Sequence, residues 1–240
     1  MVNSNITLYT ADSANGWKIS IALELLKLNY TVKELNIAKN EQKEAWYLKI
    51  NPNGRVPAIV DHSNDDFKVI ESGAILHYLV QRYDTEHKLW PKDLKLQSEV
   101  LQWVFFQVGG VGPMQGQAAH FGIYAPERIQ YGIDRYLNET KRLFSVLETK
   151  LEGHDFIAAD QLSIADLALF PWVSLAYRFA IDLTEYPNLN TWVERLDKIP
   201  EVVKGLDVPV PNNEYRFVRA DPAKVKEELA KWSPDFYATN

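Results

Sequence analysis

Up to about Asp84, short apolar runs of strand character alternate with segments whose apolar residues recur every three or four positions. Ile6 to Thr10 reads as a strand. The polar cluster Ser13-Ala14-Asn15-Gly16 follows it and opens a helix from Trp17 to Leu28, with Ile19, Ala22, Leu23 and Leu26 at helical spacing. Thr31 to Ile37 alternates loosely through Val32, Leu35 and Ile37, as a strand does. Glu41 to Leu48 predicts a short helix, closed by the turn Asn51-Pro52-Asn53-Gly54. Ala58 to Asp61 and Phe67 to Ile70 are two short strands around the polar turn Ser63-Asn64-Asp65-Asp66. Ser72 to Tyr83 is an amphipathic helix through Ile75, Leu76 and Leu79. The predicted order is βαβαββα.

After Asp84 the strand signals stop. Leu94 to Val108, Pro126 to Leu151, Ser163 to Phe179, Pro187 to Leu196 and Pro200 to Leu206 all read as helices. Pro126 and Pro200 sit where a first-turn proline is tolerated. The run Gly109-Gly110-Val111-Gly112-Pro113 predicts a break in the helix that starts at Leu94. Beyond Pro209 the pattern is mixed, with one helix expected at Pro222 to Trp232. The expected fold class is therefore α/β plus all-α. An αβ domain spans 1–84, a linker 85–93, and an all-helical domain 94–240 with an extension from about 209.

Composition changes this picture mainly by exclusion. The chain has 240 residues, 46% hydrophobic and 24% charged, as expected of a globular protein rather than a disordered one. Its formal charge of −6 argues against nucleic acid as a partner, because a phosphate backbone needs a basic surface. No apolar run reaches the ~18 residues of a membrane span, and Met1 to Thr10 has neither a basic start nor an apolar stretch, so the expected location is the cytoplasm. There are no cysteines, which removes disulfides, thiolate metal sites and any protein thiol nucleophile. The five histidines form no metal-binding spacing, so no metal is expected.

Three short segments could carry chemistry. Val56-Pro57 lies between the Asn-Pro-Asn-Gly turn and a strand. A cis proline there would free the Val56 N–H and C=O to pair with an extended peptide; the residues alone favour an ordinary trans proline. Glu71-Ser72-Gly73 opens a helix, where free N–H groups and the Ser72 hydroxyl suit a carboxylate and Glu71 suits an ammonium; an α-amino acid carries both charges. The rival is a plain Ser cap with an acidic neighbour. At Ser13-Ala14-Asn15, a hydroxyl or amide could stabilise a thiolate, or could simply cap the first helix. Tyr9 is a rival donor, although its place inside a strand makes it a core residue. Ser163-Ile164-Ala165-Asp166 reads as a capping box, a structural feature.

Taken together, Ser13-Ala14-Asn15-Gly16-Trp17-Lys18, Asn51-Pro52-Asn53-Gly54-Arg55-Val56-Pro57-Ala58 and Glu71-Ser72-Gly73-Ala74-Ile75 resemble the glutathione-binding half of cytosolic glutathione transferases. Trp103-Val104-Phe105-Phe106-Gln107, then Gly112-Pro113-Met114-Gln115-Gly116-Gln117 and His120-Phe121, narrow the resemblance. It points to the nu-class enzymes of bacteria and the fungal branch related to the yeast nitrogen-catabolite regulator that also forms a prion. The resemblance implies a thioredoxin-like first domain with a cis Pro57, an all-α second domain and a homodimer. It implies glutathione as co-substrate, bound by Asn15, Gln42, Arg55, Val56, Pro57, Glu71 and Ser72. In that scheme Val56 pairs with the cysteinyl backbone, Glu71 and Ser72 hold the γ-glutamyl ends, and Gln42 serves the glycyl end. Ser13 stands where nu-class members carry a threonine that donates to the thiolate, so Ser13 and Asn15 are the expected catalytic residues. Trp17, Met114, His120, Phe121 and Tyr124 are candidates for the electrophile pocket. The expected activity is conjugation of glutathione to small hydrophobic electrophiles. The alternatives are glutathione-dependent reduction of disulfides or peroxides, with glutathione disulfide as the alternative bound partner, and a non-enzymatic regulator on the same scaffold.

Overall fold

The structure is a computed structural model that describes residues 4–230. Its first part is a four-stranded sheet of β1 (Ile6–Thr10), β2 (Tyr30–Glu34), β3 (Ala58–Asp61) and β4 (Phe67–Ile70) in the order β2-β1-β3-β4. β1 and β2 are parallel; β3 is antiparallel to both β1 and β4. The parallel pair needs a crossover, and α1 (Ala14–Leu25) provides it. α2 (Ala45–Leu48) and α3 (Ser72–Tyr83) complete the thioredoxin-like βαβαββα unit.

The remaining elements are helical: α4 (Leu94–Phe106), α5 (Gly112–Ala119), α6 (Gln130–Lys150), α7 (Ile164–Val173), α8 (Pro187–Leu196), α9 (Pro200–Leu206), α10 (Asn213–Arg219) and α11 (Pro222–Ala230). The Ser163 box forms as expected. Its hydroxyl accepts the Ala165 N–H at 3.2 Å, and Asp166 Oδ2 accepts the Ser163 N–H at 2.9 Å. The second Asp166 oxygen takes the Ile157 N–H and the Trp192 indole, both at 2.9 Å, so this buried carboxylate ties α7 to α8.

One continuous apolar core joins the sheet side to the helical part, running from Ile6 and Leu8 through α1 and α3 to Phe170 and Trp192. α1 is its centre. Every residue from Gly16 to Leu23 is buried, so the helix packs on all sides rather than along one stripe, with Lys18 and Ser20 as its buried polar members. At Gly205 an added Cβ would lie 2.5 Å from the Ile21 Cα, so α9 crosses α1 at backbone contact.

Several expected elements differ. The Gly-Gly-Val-Gly-Pro run does not break its helix. Gln107–Val111 widens into a π turn, with the Gly112 N–H donating to the Gln107 carbonyl, and α5 continues directly. The wider turn accommodates a proline that has no N–H for an ordinary helical bond. Glu41 to Leu48 is a 3₁₀ turn and then α2, separated by an extended Glu44; Gln42 and Tyr47 alone are buried there, too little to hold two helical turns. Pro126 does not start α6, which begins at Gln130: residues 126–131 are exposed, so burial gives a first turn there little support. α7 ends at Val173, two residues past the internal Pro171, and the expected remainder to Phe179 becomes a 3₁₀ turn. α10 had no sequence signal, and α11 is described to Ala230, so the expected end at Trp232 lies outside the described residues.

Candidate functional site

Sheet register builds the first half of the site. Tyr9, Ala58 and Ile70 stand side by side across β1, β3 and β4. The residues after Tyr9, those before Ala58 on its antiparallel strand and those after Ile70 therefore emerge at the same sheet end. They include Ser13, Val56-Pro57 and Glu71-Ser72.

Each piece is set by local chemistry. Ser13 caps α1: its Oγ accepts the Gly16 N–H and donates to the Ala11 carbonyl, each at 3.2 Å. A side chain at Gly16 would lie 2.3 Å from Thr10 Oγ1, so only glycine lets α1 start this close to β1. The Val56-Pro57 peptide is cis, not the trans form that the residues alone favour. Among the described residues, no other backbone group pairs with the Val56 N–H or C=O. The preceding Arg55 carbonyl is held twice, by the Tyr47 hydroxyl and the Asn51 amide at 2.7 Å each, while the Arg55 side chain is exposed. Gln42 is buried beside this turn, with its Oε1 unpartnered among the described residues.

Glu71 occupies the N-cap position of α3 at φ +67°, a conformation that costs a non-glycine residue about 1–3 kcal/mol. Its side chain makes no capping bond and is exposed. Ser72 is thus the first helical residue rather than the cap. α3 begins with its first N–H groups uncapped by side chains, an arrangement that favours an anion.

A residue that the sequence pattern did not single out sits directly behind. Lys18 is fully buried, and its ammonium donates to Ser72 Oγ at 3.2 Å and to Gln107 Oε1. Burial pulls its pKa from 10.5 down to about 7, against the opposing pull of the Glu71 carboxylate. Because Lys18 donates to the Ser72 oxygen, the hydroxyl proton of Ser72 is left to donate elsewhere. Tyr9 packs against Tyr47 and Trp46, and burial pushes its phenol up, as befits a packing residue.

The second half is a cavity of about 540 Å³ between the start of α1 and the helical part. Ser13, Asn15 and Trp17 line it from one side; Gly116, Tyr124 and Trp172 are among those facing them. The Trp172 indole donates to Asn15 Oδ1 at 2.9 Å, which fixes the Asn15 amide across the two parts of the molecule. An added Cβ at Gly112 would meet the Gln107 amide at 2.7 Å, whereas at Gly116 it would only touch the Trp172 indole at ordinary contact distance, 3.7 Å. Of the five pocket candidates, Trp17 and Tyr124 line this cavity. Met114 instead lines a separate groove with Tyr131, Asp134 and Arg135. Phe121 stacks on Tyr136 at 5.5 Å, and His120 is exposed beside Phe121, so neither lines the cavity.

Trp172, Arg178, Glu214 and Tyr215 line the cavity and were not among the candidates. Nothing in their local sequence marks them, since they reach Ser13 only through the packing of α7, the 3₁₀ turn at Ala176–Phe179 and α10. Lys18 carried a faint signal: a lysine between Trp17 and Ile19 in an otherwise apolar helix.

Comparison with known proteins agrees with this geometry. The sequence models of the glutathione S-transferase N-terminal and C-terminal domains match residues 4–81 and 99–200. Disulfide-bond oxidoreductase YfcG of Escherichia coli is 40% identical over 205 residues, covering 84% of this chain and 94% of that protein. The transcriptional regulator URE2 of Saccharomyces cerevisiae is 32% identical over 237 residues, covering 83% of this chain and 67% of that protein. A glutathione transferase homolog from Lodderomyces elongisporus, solved with two glutathione molecules per subunit, superposes with a TM-score of 0.82 at 41% identity, covering 85% of this chain and 99% of that one. With its two domains in this order and its relatives aligned across both, the chain belongs to the glutathione S-transferase family.

Proposed function

We propose that this protein is a glutathione-dependent transferase that joins the glutathione sulfur to small hydrophobic electrophiles. One observation carries the reading: Glu71, held at φ +67° with an exposed carboxylate, stands at the uncapped start of α3, on the same sheet end as Val56 and Ser13. That arrangement suits a γ-glutamyl head group. The Glu71 carboxylate takes the ammonium; the Ser72 hydroxyl and the first N–H groups of α3 take the carboxylate, with the Lys18 charge behind them. Val56 pairs through its backbone with the cysteinyl unit as an added strand would, beside Arg55 and Pro57. Gln42 serves the glycyl end. The cysteinyl sulfur then faces Ser13 and Asn15: the Asn15 amide N–H donates to the thiolate, and the Ser13 hydroxyl turns from the Ala11 carbonyl to do the same. A free thiol of pKa about 8.5 is mostly protonated at neutral pH, so a lowering of one or two units raises the attacking fraction several-fold. The thiolate forms the new C–S bond to an electrophile in the cavity, and the electron pair departs with the leaving group or passes into the acceptor. Holding both reactants in reach supplies the rest of the acceleration.

A second reading keeps the site and changes the reaction to glutathione-dependent reduction of a disulfide or peroxide. It is supported by the 40% identity to a disulfide-bond oxidoreductase. Both sulfurs of any exchange then belong to glutathione and substrate, since the chain has no cysteine. A regulator without turnover is the reading that the likeness to URE2 supports. The protein acts as a homodimer in the cytoplasm; exposed Leu94, Phe105 and Tyr131 on α4 and α6 offer the apolar surface such pairing buries. Among the described residues, no helix is long and apolar enough to cross a membrane.

Calorimetry with reduced and oxidised glutathione tests these readings. Binding of reduced glutathione that Glu71→Ala removes, together with turnover of a neutral electrophile, supports the transferase. Preference for the disulfide favours the reductase. Binding without either turnover leaves the regulator, and no binding defeats the site itself. Ultracentrifugation checks the dimer.

A further inference from the structure

The chain beyond about residue 209 lies outside the C-terminal family match, which stops at residue 200, yet it supplies part of the cavity wall. Pro211, Asn212, Glu214 and Tyr215 face Asp12, Ser13 and Trp17 across it. α10 is anchored there. The buried Tyr215 donates its hydroxyl to Asp197 at 2.7 Å, its ring centre lies 6.3 Å from that of Trp17, and its N–H is accepted by Asn212 Oδ1 at 3.2 Å. Arg216 pairs with Asp207 at 2.6 Å. α10 thereby brings Glu214 to the cavity, where its largely exposed carboxylate pairs with Arg178 Nη2 at 2.5 Å.

Asp12, Arg178 and Glu214 are the charged residues among those lining this cavity. One guanidinium stands against two carboxylates. Burial pushes the Asp12 carboxyl up; Arg178 pulls it back and Glu214 pushes it up again, so the three groups share one field. A guanidinium at a cavity wall is a natural partner for an anionic substrate. Here Glu214 already engages it, and the remaining carboxylate leaves the wall acidic.

We propose that Glu214, from the C-terminal extension, is a specificity-determining residue: by engaging Arg178 it makes the cavity select uncharged or cationic co-substrates over anionic ones. The inference rests on the glutathione site described above and names the co-substrate class that the site accepts.

The test uses two S-substituted glutathiones of similar size, S-(4-nitrobenzyl)glutathione and S-(4-carboxybenzyl)glutathione, with calorimetry on the full chain. The neutral ligand is expected to bind the wild type more tightly. Glu214→Gln should tighten the carboxylate ligand about 2- to 5-fold, the size of a partly exposed charge contact, and leave the neutral one essentially unmoved. Asp12→Asn, which leaves α10 intact, should act in the same direction. At about 1 M salt, where the screening length is about 3 Å, the difference between the ligands should shrink. Equal shifts for both ligands, or tighter binding of the carboxylate ligand by the wild type, overturn the inference while leaving the glutathione site standing. Failure of both ligands to bind the wild type overturns the site and the inference together.

Discussion

The two halves of the candidate site are built differently. The sheet end is assembled from three segments, each of which carries its own local instruction: a cap at Ser13, a turn and proline at 51–57, a helix start at Glu71-Ser72. Strand register then brings them to one sheet end. The cavity has no such instructions. Its wall takes residues from α1, α5, α7 and α10, spread from Asp12 to Tyr215, and exists only once the common core has formed. A site made from backbone at a sheet end constrains its ligand closely, whereas a wall of side chains from distant helices can be altered one residue at a time. This is the division expected of a fixed co-substrate and a variable partner.

The sharpest way to break this comparison is at the point where the halves meet. Ser13→Ala is expected to cut turnover about 100-fold, a loss typical of an anion-stabilising donor, while glutathione affinity changes far less. Steady-state kinetics beside calorimetry decide it, and equal losses in both would take Ser13 away from the sulfur. Gly205→Ala forces a Cβ against the α1 backbone and is expected to lower unfolding stability by about 2–3 kcal/mol in denaturant titration. If glutathione binding survives in that variant while electrophile affinity falls, the sheet end is the more autonomous half.

Lys18→Met removes the charge behind Ser72 and is expected to weaken glutathione binding about 10-fold. It also changes the pH dependence of stability. The folded chain releases the Lys18 proton near pH 7, the unfolded chain only near 10.5, so between those values the unfolded state holds more protons and wild-type stability gains with rising pH. The variant lacks that contribution, so the melting temperature of the wild type relative to the variant should rise from about pH 7 to about pH 9. Trp172→Phe deletes the bond to Asn15 and should raise the electrophile KM about 3- to 5-fold, with a smaller effect on glutathione. Confined to stability, Ser163→Ala should cost about 1 kcal/mol through the lost cap and leave both ligands unaffected.

Legibility followed the same division. β3, β4 and α3 have the ends their patterns predict, because short runs on either side of a polar turn and an amphipathic helix are local signals. Glycine and proline misled at 109–113. Their cost in a helix is real, but a π turn against a packed core absorbs it. Met114, His120 and Phe121 are near Gly112 and Tyr124 in sequence but turn toward α6 or solvent, since neighbours on a helix face in different directions. Trp172 and Glu214, far away in sequence, reach Asn15 and Arg178 instead.

By itself the sequence determined the order of elements up to Tyr83 and the caps at Ser13 and Ser163, because these depend on contacts within a few positions, and it excluded a protein thiol outright. Tertiary structure alone decided that Lys18 is buried behind Ser72, that Trp172 holds Asn15, and that the C-terminal extension places a carboxylate on Arg178. Those depend on which helices share a core, and a buried charge or a cavity wall is defined by all the elements around it at once.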